Sequence, residues 1–292
     1  MGEVARPVDM PADRAVGSSL AFLQEARKVT AFLRRDFLVA WSYRMAFFSE
    51  LTGIFVTAIT FYFVGRMVDE SVLPTFAGER VTYMEFAAIG IVFGAFLAVG
   101  LGQVATAVRQ EQLMGTLESL LMTPTSPATI QVGSVAYPLL LLPLRTGVLL
   151  ALIALAFGLD FSAGGIAPAA FVFLLFTPFV WGLGLLSAAA VMTFKRGTAG
   201  IGVAVTLLVL LSGAYFPLDL LPRPIELLAQ FNPLALAIDG VREALLGDAG
   251  WGALGAEVLL LVPMAVVSLV AGVTAFRMSV RRERARGSIG LY

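Results

Sequence analysis

The chain has 292 residues, 59% of them hydrophobic and 14% charged, with a mean hydropathy of +0.89 and a formal net charge of zero. This is too apolar for an ordinary soluble domain, and apolar runs of 18 or more residues recur, so the chain reads as an integral membrane protein. Cysteine and histidine are both absent, which excludes disulfides, thiolate or imidazole metal sites and Ser/His or Cys/His nucleophilic pairs, and the neutral balance gives no field for nucleic acid.

Residues 1–18 are polar and proline-bearing and read as a flexible tail. From 19 to 44, Phe22, Ala26, Val29, Leu33, Phe37 and Ala40 recur at helical spacing, while Arg27, Lys28, Arg34 and Arg35 take the other face. That pattern predicts an amphipathic helix in the membrane interface, with Trp41 and Tyr43 at the edge of the first apolar run. Six runs follow near 45–65, 83–105, 131–157, 167–192, 199–216 and 252–276, each long enough for a hydrocarbon layer that needs about 20 helical residues. They make residues 45–276 an all-helical transmembrane domain, closed by a basic tail at 277–292. Of the 20 Lys and Arg residues, 15 fall on the side of the two termini and 4 on the other, which predicts that both termini are cytoplasmic in a plasma membrane.

Two interruptions stand out. Residues 109–126, RQEQLMGTLESLLMTPTS, read as a short amphipathic helix, with Leu113, Leu117, Leu120 and Leu121 on one stripe and Pro124 ending it. Its other face, from Glu111 and Gln112 through Gly115, Thr116 and Glu118, is offered to a partner in the cytoplasm. Residues 217–251 are too apolar for a free loop and too broken by Pro217, Pro222, Pro224 and Pro233 for one span. Two short helices dipping back into the outer leaflet and capping a pathway fit this pattern, with a plain surface loop as the alternative.

Within the spans, Glu50 and Arg145 are costly in hydrocarbon and are expected to face the bundle interior, a cavity or each other. Arg145 either binds an anionic substrate group or satisfies carbonyls freed by Pro138 and Pro143. Phe55, with Phe61 and Phe63, either lines a hydrophobic path or packs. Gly90, Gly94, Gly100, Gly182 and Gly184 allow close helix approach, within a subunit or across a dimer. The only two lysines, Lys28 and Lys195, do not follow a glycine-rich loop, so no phosphate-cradling motif is present and any ATP chemistry belongs to another chain.

The segments GTLESLLMTPTS and LSGAYFPLDLLPRPIELLAQFNPLALAIDGVREALLG, at their distances from six spans and an interfacial helix, resemble an ABC transporter permease of the type-2 exporter family over roughly residues 20–280. The resemblance implies a non-catalytic membrane subunit, working as a homodimer or heterodimer among membrane lipids. A separate nucleotide-binding ATPase subunit would bind ATP and Mg, and this chain would hold no cofactor. It implies a coupling helix over Glu111–Pro124, in which Glu111, Gln112, Gly115, Thr116, Leu117, Glu118, Leu121, Thr123 and Pro124 touch the ATPase, braced by the interfacial helix around Arg34 and Arg35. It also implies an outer re-entrant segment marked by Pro217, Pro222, Asn232, Pro233 and Arg242, in a protein of prokaryotic type. The expected cargo is amphipathic: a drug, a lipid or a lipid-linked saccharide. A polysaccharide exporter of the same family and an ion-gradient-driven transporter are the alternatives. The latter would want several deep carboxylates, and often two similar halves.

Overall fold

The computed structural model describes residues 11–42, 44–69, 73–76, 78–113, 127–194, 198–247 and 250–286. Its helices are α1 (Pro11–Ser42), α2 (Arg44–Gly65), α3 (Tyr83–Leu113), α4 (Pro127–Phe157), α5 (Ile166–Phe194), α6 (Thr198–Leu210), α7 (Arg223–Ala229), α8 (Pro233–Leu246), α9 (Ala256–Leu259) and α10 (Leu261–Arg286). Between α2 and α3 a small antiparallel ribbon pairs β1 (Thr75–Phe76) with β2 (Glu79–Arg80), and Gly78 at φ +81° makes its turn.

Among the described residues, four stretches are long and apolar enough to cross a membrane: Tyr83–Thr106, Leu139–Phe157, Ala163–Phe194 and Leu261–Arg282. The other two expected spans correspond to shorter apolar stretches, Leu51–Gly65 in α2 and Gly200–Leu210 in α6. The fifth run was expected to stay helical to 216. Instead α6 has 13 residues, about 20 Å of helix, and Gly213 at φ +68° turns the chain away. The sixth run is interrupted between α9 and α10, and α10 continues past 276 into the basic tail, to Arg286. Helix α1 begins at Pro11, so residues 11–18, expected as loose tail, are helical.

Helix α3 is the hub. Of its apolar stretch 78% is buried inside the protein, against 22% for Leu139–Phe157 of α4. Phe93 and Phe96 of α3 interlock with Phe173 and Phe176 of α5, at ring-centroid distances of 4.9 Å for Phe96–Phe173 and 5.4 Å for Phe93–Phe173. Glycines bring the backbones together, as their sequence spacing predicts, here within one subunit. A Cβ on Gly184 of α5 would stand 2.8 Å from the Gly100 carbonyl of α3, and one on Gly182 would overlap the Ser268 backbone of α10. The start of α3 is fixed by a capping box: the Thr82 amide donates to Glu85 Oε2 at 2.7 Å while the Glu85 amide donates back to Thr82 Oγ1 at 3.3 Å.

Three connecting regions gather at one end of the bundle. The Asp160 amide donates to Glu85 Oε1, the Ser162 amide to the Leu245 carbonyl at 2.9 Å, and Tyr83 Oη to the Tyr215 carbonyl at 2.9 Å. The regions 66–82, 158–165 and 211–260 thus share what we call the cap end. By chain alternation, the C-terminal end of α3, the N-terminal end of α4, α1 and the last turns of α10 belong to the opposite end.

Candidate functional site

The residues singled out from the sequence fall in three places. At the end opposite the cap, α3 carries its helix through Glu111 and Gln112 to Leu113, and Pro127 opens α4. Between them Gly115, Thr116, Leu117, Glu118, Leu121, Thr123 and Pro124 lie outside the described residues. Helix α1 packs along α4, and Phe32, 9% exposed, seats its ring over Gly133, where an added Cβ would meet ring carbons at 2.6 Å. Among the described side chains of α1, Phe32 is buried and Lys28, Val29, Leu33 and Asp36 are half-buried. Phe37, on the apolar stripe expected in the membrane interface, is 50% exposed and stacks on Trp41 at 6.1 Å. The Phe32 ring packs where Gly133 leaves room for it. Of the expected basic face, Arg27 and Arg34 are exposed and Lys28 is half-buried. Arg35 pairs with Asp36 at 2.7 Å and covers the Phe32 ring at 5.1 Å.

The second place is a cleft between α2, α3 and α4. Arg145 and Thr146 of α4 line it with Leu142 and Leu149, facing Leu51 and Ile54 of α2 and Val92, Ala95, Phe96 and Val99 of α3. Its free volume of about 20 Å³ is room for roughly one water. Thr146 Oγ1 donates to the Leu142 carbonyl at 2.9 Å, which leaves Arg145 as the one charged side chain among the described lining residues. Phe55, for which the sequence left a hydrophobic path and packing open, is partly buried and packs against the cluster of Ala58, Met84 and Ile153. Phe61 stacks on Tyr215 with centroids 4.8 Å apart and Phe63 is 61% exposed. The side chain of Glu50 lies outside the described residues.

The third place is the cap. The segment after Pro217 forms the two short helices its proline spacing predicts, and they differ sharply. Helix α7, with Pro222 just before it, exposes Leu227 and Leu228 at 52% and 69%. In α8, which begins at Pro233, ten of the fourteen residues are buried, so the surface-loop alternative fails for this helix. Asn232 ties α8 to α6: its Oδ1 accepts from the Leu234 amide at 3.0 Å, while Nδ2 donates to the carbonyls of Leu208 and Leu211 at 2.7 and 3.0 Å. One amide thus caps the start of α8 and satisfies carbonyls at the end of α6.

Arg242 is the centre of the cap. It is 1% exposed, and its guanidinium donates to the carbonyls of Phe86, Gly213 and Ala214. The group lies 3.5 Å from the centre of the Phe86 ring, with Asp239 3.4 Å from Nη1. Burial lowers its proton affinity to about 10, partly opposed by Asp239, so the side chain stays charged at neutral pH. A planar fork with five donors suits three converging carbonyls. At Gly90, one turn along α3, a side chain would overlap Ala214, so the same turn is held by absence of bulk as well. Sequence reading had included Arg242 only as part of the segment. It missed Phe32, Tyr83 and the Thr82–Glu85 pair, of which the last carries a readable signal, the S/T-x-x-E spacing.

A family model described as "ABC-2 type transporter" matches residues 27–246, about three quarters of the chain. The chain is also similar to "Probable multidrug ABC transporter permease YbhR" from Escherichia coli K12 and to the protein of that name from Escherichia coli O157:H7, each 26% identical over 179 residues. Those alignments cover 60% of this chain and 46% of the relatives, so the chain matches about half the length of the curated proteins it resembles. The chain belongs to the ABC-2 type transporter family, as a permease with membrane-spanning helices.

Proposed function

We propose that this ABC-2 type transporter permease is the membrane subunit of an ATP-driven exporter, carrying out no nucleotide chemistry itself. The reading rests first on the family and on the arrangement at the end opposite the cap. There a polar segment of amphipathic pattern joins the hub helix α3 to α4, and α1 grips α4 close to where that segment ends. A rigid helix that couples a partner's motion to the bundle must be tied to both. In this reading residues 111–124 form the coupling helix, Glu111 and Glu118 pair with a groove on a separate ATPase subunit that binds ATP and Mg, and α1 braces them.

The basic residues put that end in the cytoplasm and the cap outside, in the plasma membrane of a prokaryote. The cap segment would then dip into the outer leaflet, with exposed α7 against lipid or a second permease and buried α8 closing the pathway. The functional unit is a dimer of permeases. Its cargo is an amphipathic molecule, for which the multidrug name of the E. coli relatives favours a hydrophobic drug over a lipid or lipid-linked saccharide.

The test is copurification of an ATPase followed by substitution in the coupling segment. Leu117→Ala or Glu118→Arg should leave the purified complex folded and hydrolysing ATP, while transport per ATP falls at least tenfold. Transport by this chain alone, driven by a proton or sodium gradient, would replace the reading with a secondary transporter. A Walker-type ATPase encoded by the adjacent gene would support the exporter reading.

A further inference from the structure

We infer that the tip of the cap, where α7 hands over to α8, is a cargo-contact site inside the membrane, with Gln230 as its hydrogen-bonding group and Phe231 as its aromatic platform. That the molecule bound there is exported rests on the transporter reading above. The geometry of the tip does not.

The tip lies deep. Asn232 donates to the Leu208 and Leu211 carbonyls, and Val209 beside them packs on α3, where a Cβ on Gly94 would meet it at 3.3 Å. Gly94 stands nine residues, about 14 Å, past Glu85 and fifteen residues, about 22 Å, before Arg109, the two charges that bound the apolar run of α3. A hydrocarbon layer of ~30 Å has its middle about 15 Å in, so Asn232 and the residues just before it sit near mid-bilayer. The chain comes down to this level from the cap end. Leu218 packs beside Gly213, beyond the end of α6, and α7 descends from there to Asn232.

Only Ala229 of α7 is buried, and the helix is polar on one side and apolar on the other. Arg223, Glu226 and Gln230 recur at spacings of three and four, with Ile225 and Leu228 opposite them. A helix exposed on both sides, with that pattern, divides water from lipid. Gln230 is its C-cap residue, and its exposed side chain makes no hydrogen bond among the described residues. An unpartnered amide is costly in hydrocarbon, so at this depth it requires water or a polar ligand. The irregular backbone between α7 and α8 carries the same requirement, because it is tolerated there only beside protein or a water-filled cavity. Next to the amide, Phe231 is 69% exposed. A neutral amide both donates and accepts, and a ring stacks on planar bodies. The pair therefore suits a planar amphipathic molecule with a hydrogen-bonding group.

The chain has no cysteine, so a single introduced thiol reports directly on water. Gln230→Cys is compared with Val267→Cys, at an apolar and 68% exposed position of α10, in phosphatidylcholine nanodiscs treated with a charged methanethiosulfonate. Gln230→Cys should react about tenfold faster, since the reactive thiolate is suppressed in apolar surroundings. Saturating rhodamine 6G, a planar amphipathic probe, should slow that reaction about threefold. In equilibrium titrations of the same dye, Gln230→Ala should weaken binding about threefold and Phe231→Ala about fivefold, with unchanged melting temperatures. Equally slow labelling at the two positions would put the tip against lipid or protein and overturn the inference. So would fast labelling that the dye leaves unchanged, or native dye affinity in both alanine variants. Labelling and binding are read without ATP, an ATPase or transport, so failure here is distinct from failure of the exporter reading.

Discussion

Arg242 grips Phe86 twice: Nε and Nη2 donate to its carbonyl at 3.1 and 2.9 Å, and the guanidinium stands 3.5 Å from the centre of its ring. Helix α8 is thereby fastened to the first turn of the hub helix, 156 residues away in sequence. Arg242→Met should remove the donors while keeping much of the volume, leaving the Gly213 and Ala214 carbonyls of the turn unmatched at about 1–3 kcal/mol each. Arg242→Lys should rescue little of this, since a single ammonium cannot span the fork's acceptors. Thermal unfolding of the purified protein checks both, and wild-type stability in the methionine variant would contradict the role assigned here.

Asn232 works as donor and acceptor at once, which allows a sharper comparison. Asn232→Ala loses the cap, about 1 kcal/mol, and also strands two part-buried carbonyls. Asn232→Asp keeps an acceptor for the Leu234 amide but sets a negative charge against the end of α6. The aspartate variant is therefore expected to unfold at a temperature no higher than the alanine variant. If Asp matched the native protein, capping alone would account for the residue.

The contact between α5 and α10 depends on bare backbone. Gly182→Ala should cost about 1–3 kcal/mol, because the added methyl meets Ser268 backbone that cannot rotate away. Gly53→Ala in α2, with nothing within 4 Å of the new methyl, should be neutral or stabilising by about 0.5–1 kcal/mol. Parallel thermal melts of the two variants separate the packing effect from glycine's general helix cost.

Phe32→Ala should loosen α1 from α4 at a cost of about 3 kcal/mol of local packing, leaving the α3–α5 core intact. Limited proteolysis is expected to cut α1 faster in this variant while the fragment containing α3 to α6 survives. In the reconstituted complex, transport should fall more than ATP hydrolysis. Unchanged proteolysis of α1 would show that its hold on α4 lies elsewhere.

Much of this arrangement was readable from the residues. The apolar runs predicted helices at nearly every position where one forms, since length and hydropathy report directly on burial in lipid or protein. The prolines from 217 to 233 correctly divided the cap into two short helices. What periodicity does not register is the partner of a face. Phe32 lies beside the expected apolar stripe, and what makes it a contact with α4 is Gly133, about a hundred residues later. Arg242 looked like one more polar residue in a short helix, because its three acceptors are peptide oxygens contributed by α3 and by the turn after α6. Composition cannot announce a backbone carbonyl. The length of α6 was misjudged for a related reason: residues 211–216 continue the apolar run without a proline or a charge, but Gly213 lets the chain reverse.

The cap is tied on by side chains on one partner and main chain on the other. Arg242, Asn232 and Tyr83 all donate to peptide oxygens. No codon change can delete a peptide oxygen, so mutational risk at this joint is one-sided. A saturation library should find those three positions intolerant, while Leu208, Leu211 and Ala214, which offer only their carbonyls, accept replacements limited by size and backbone shape.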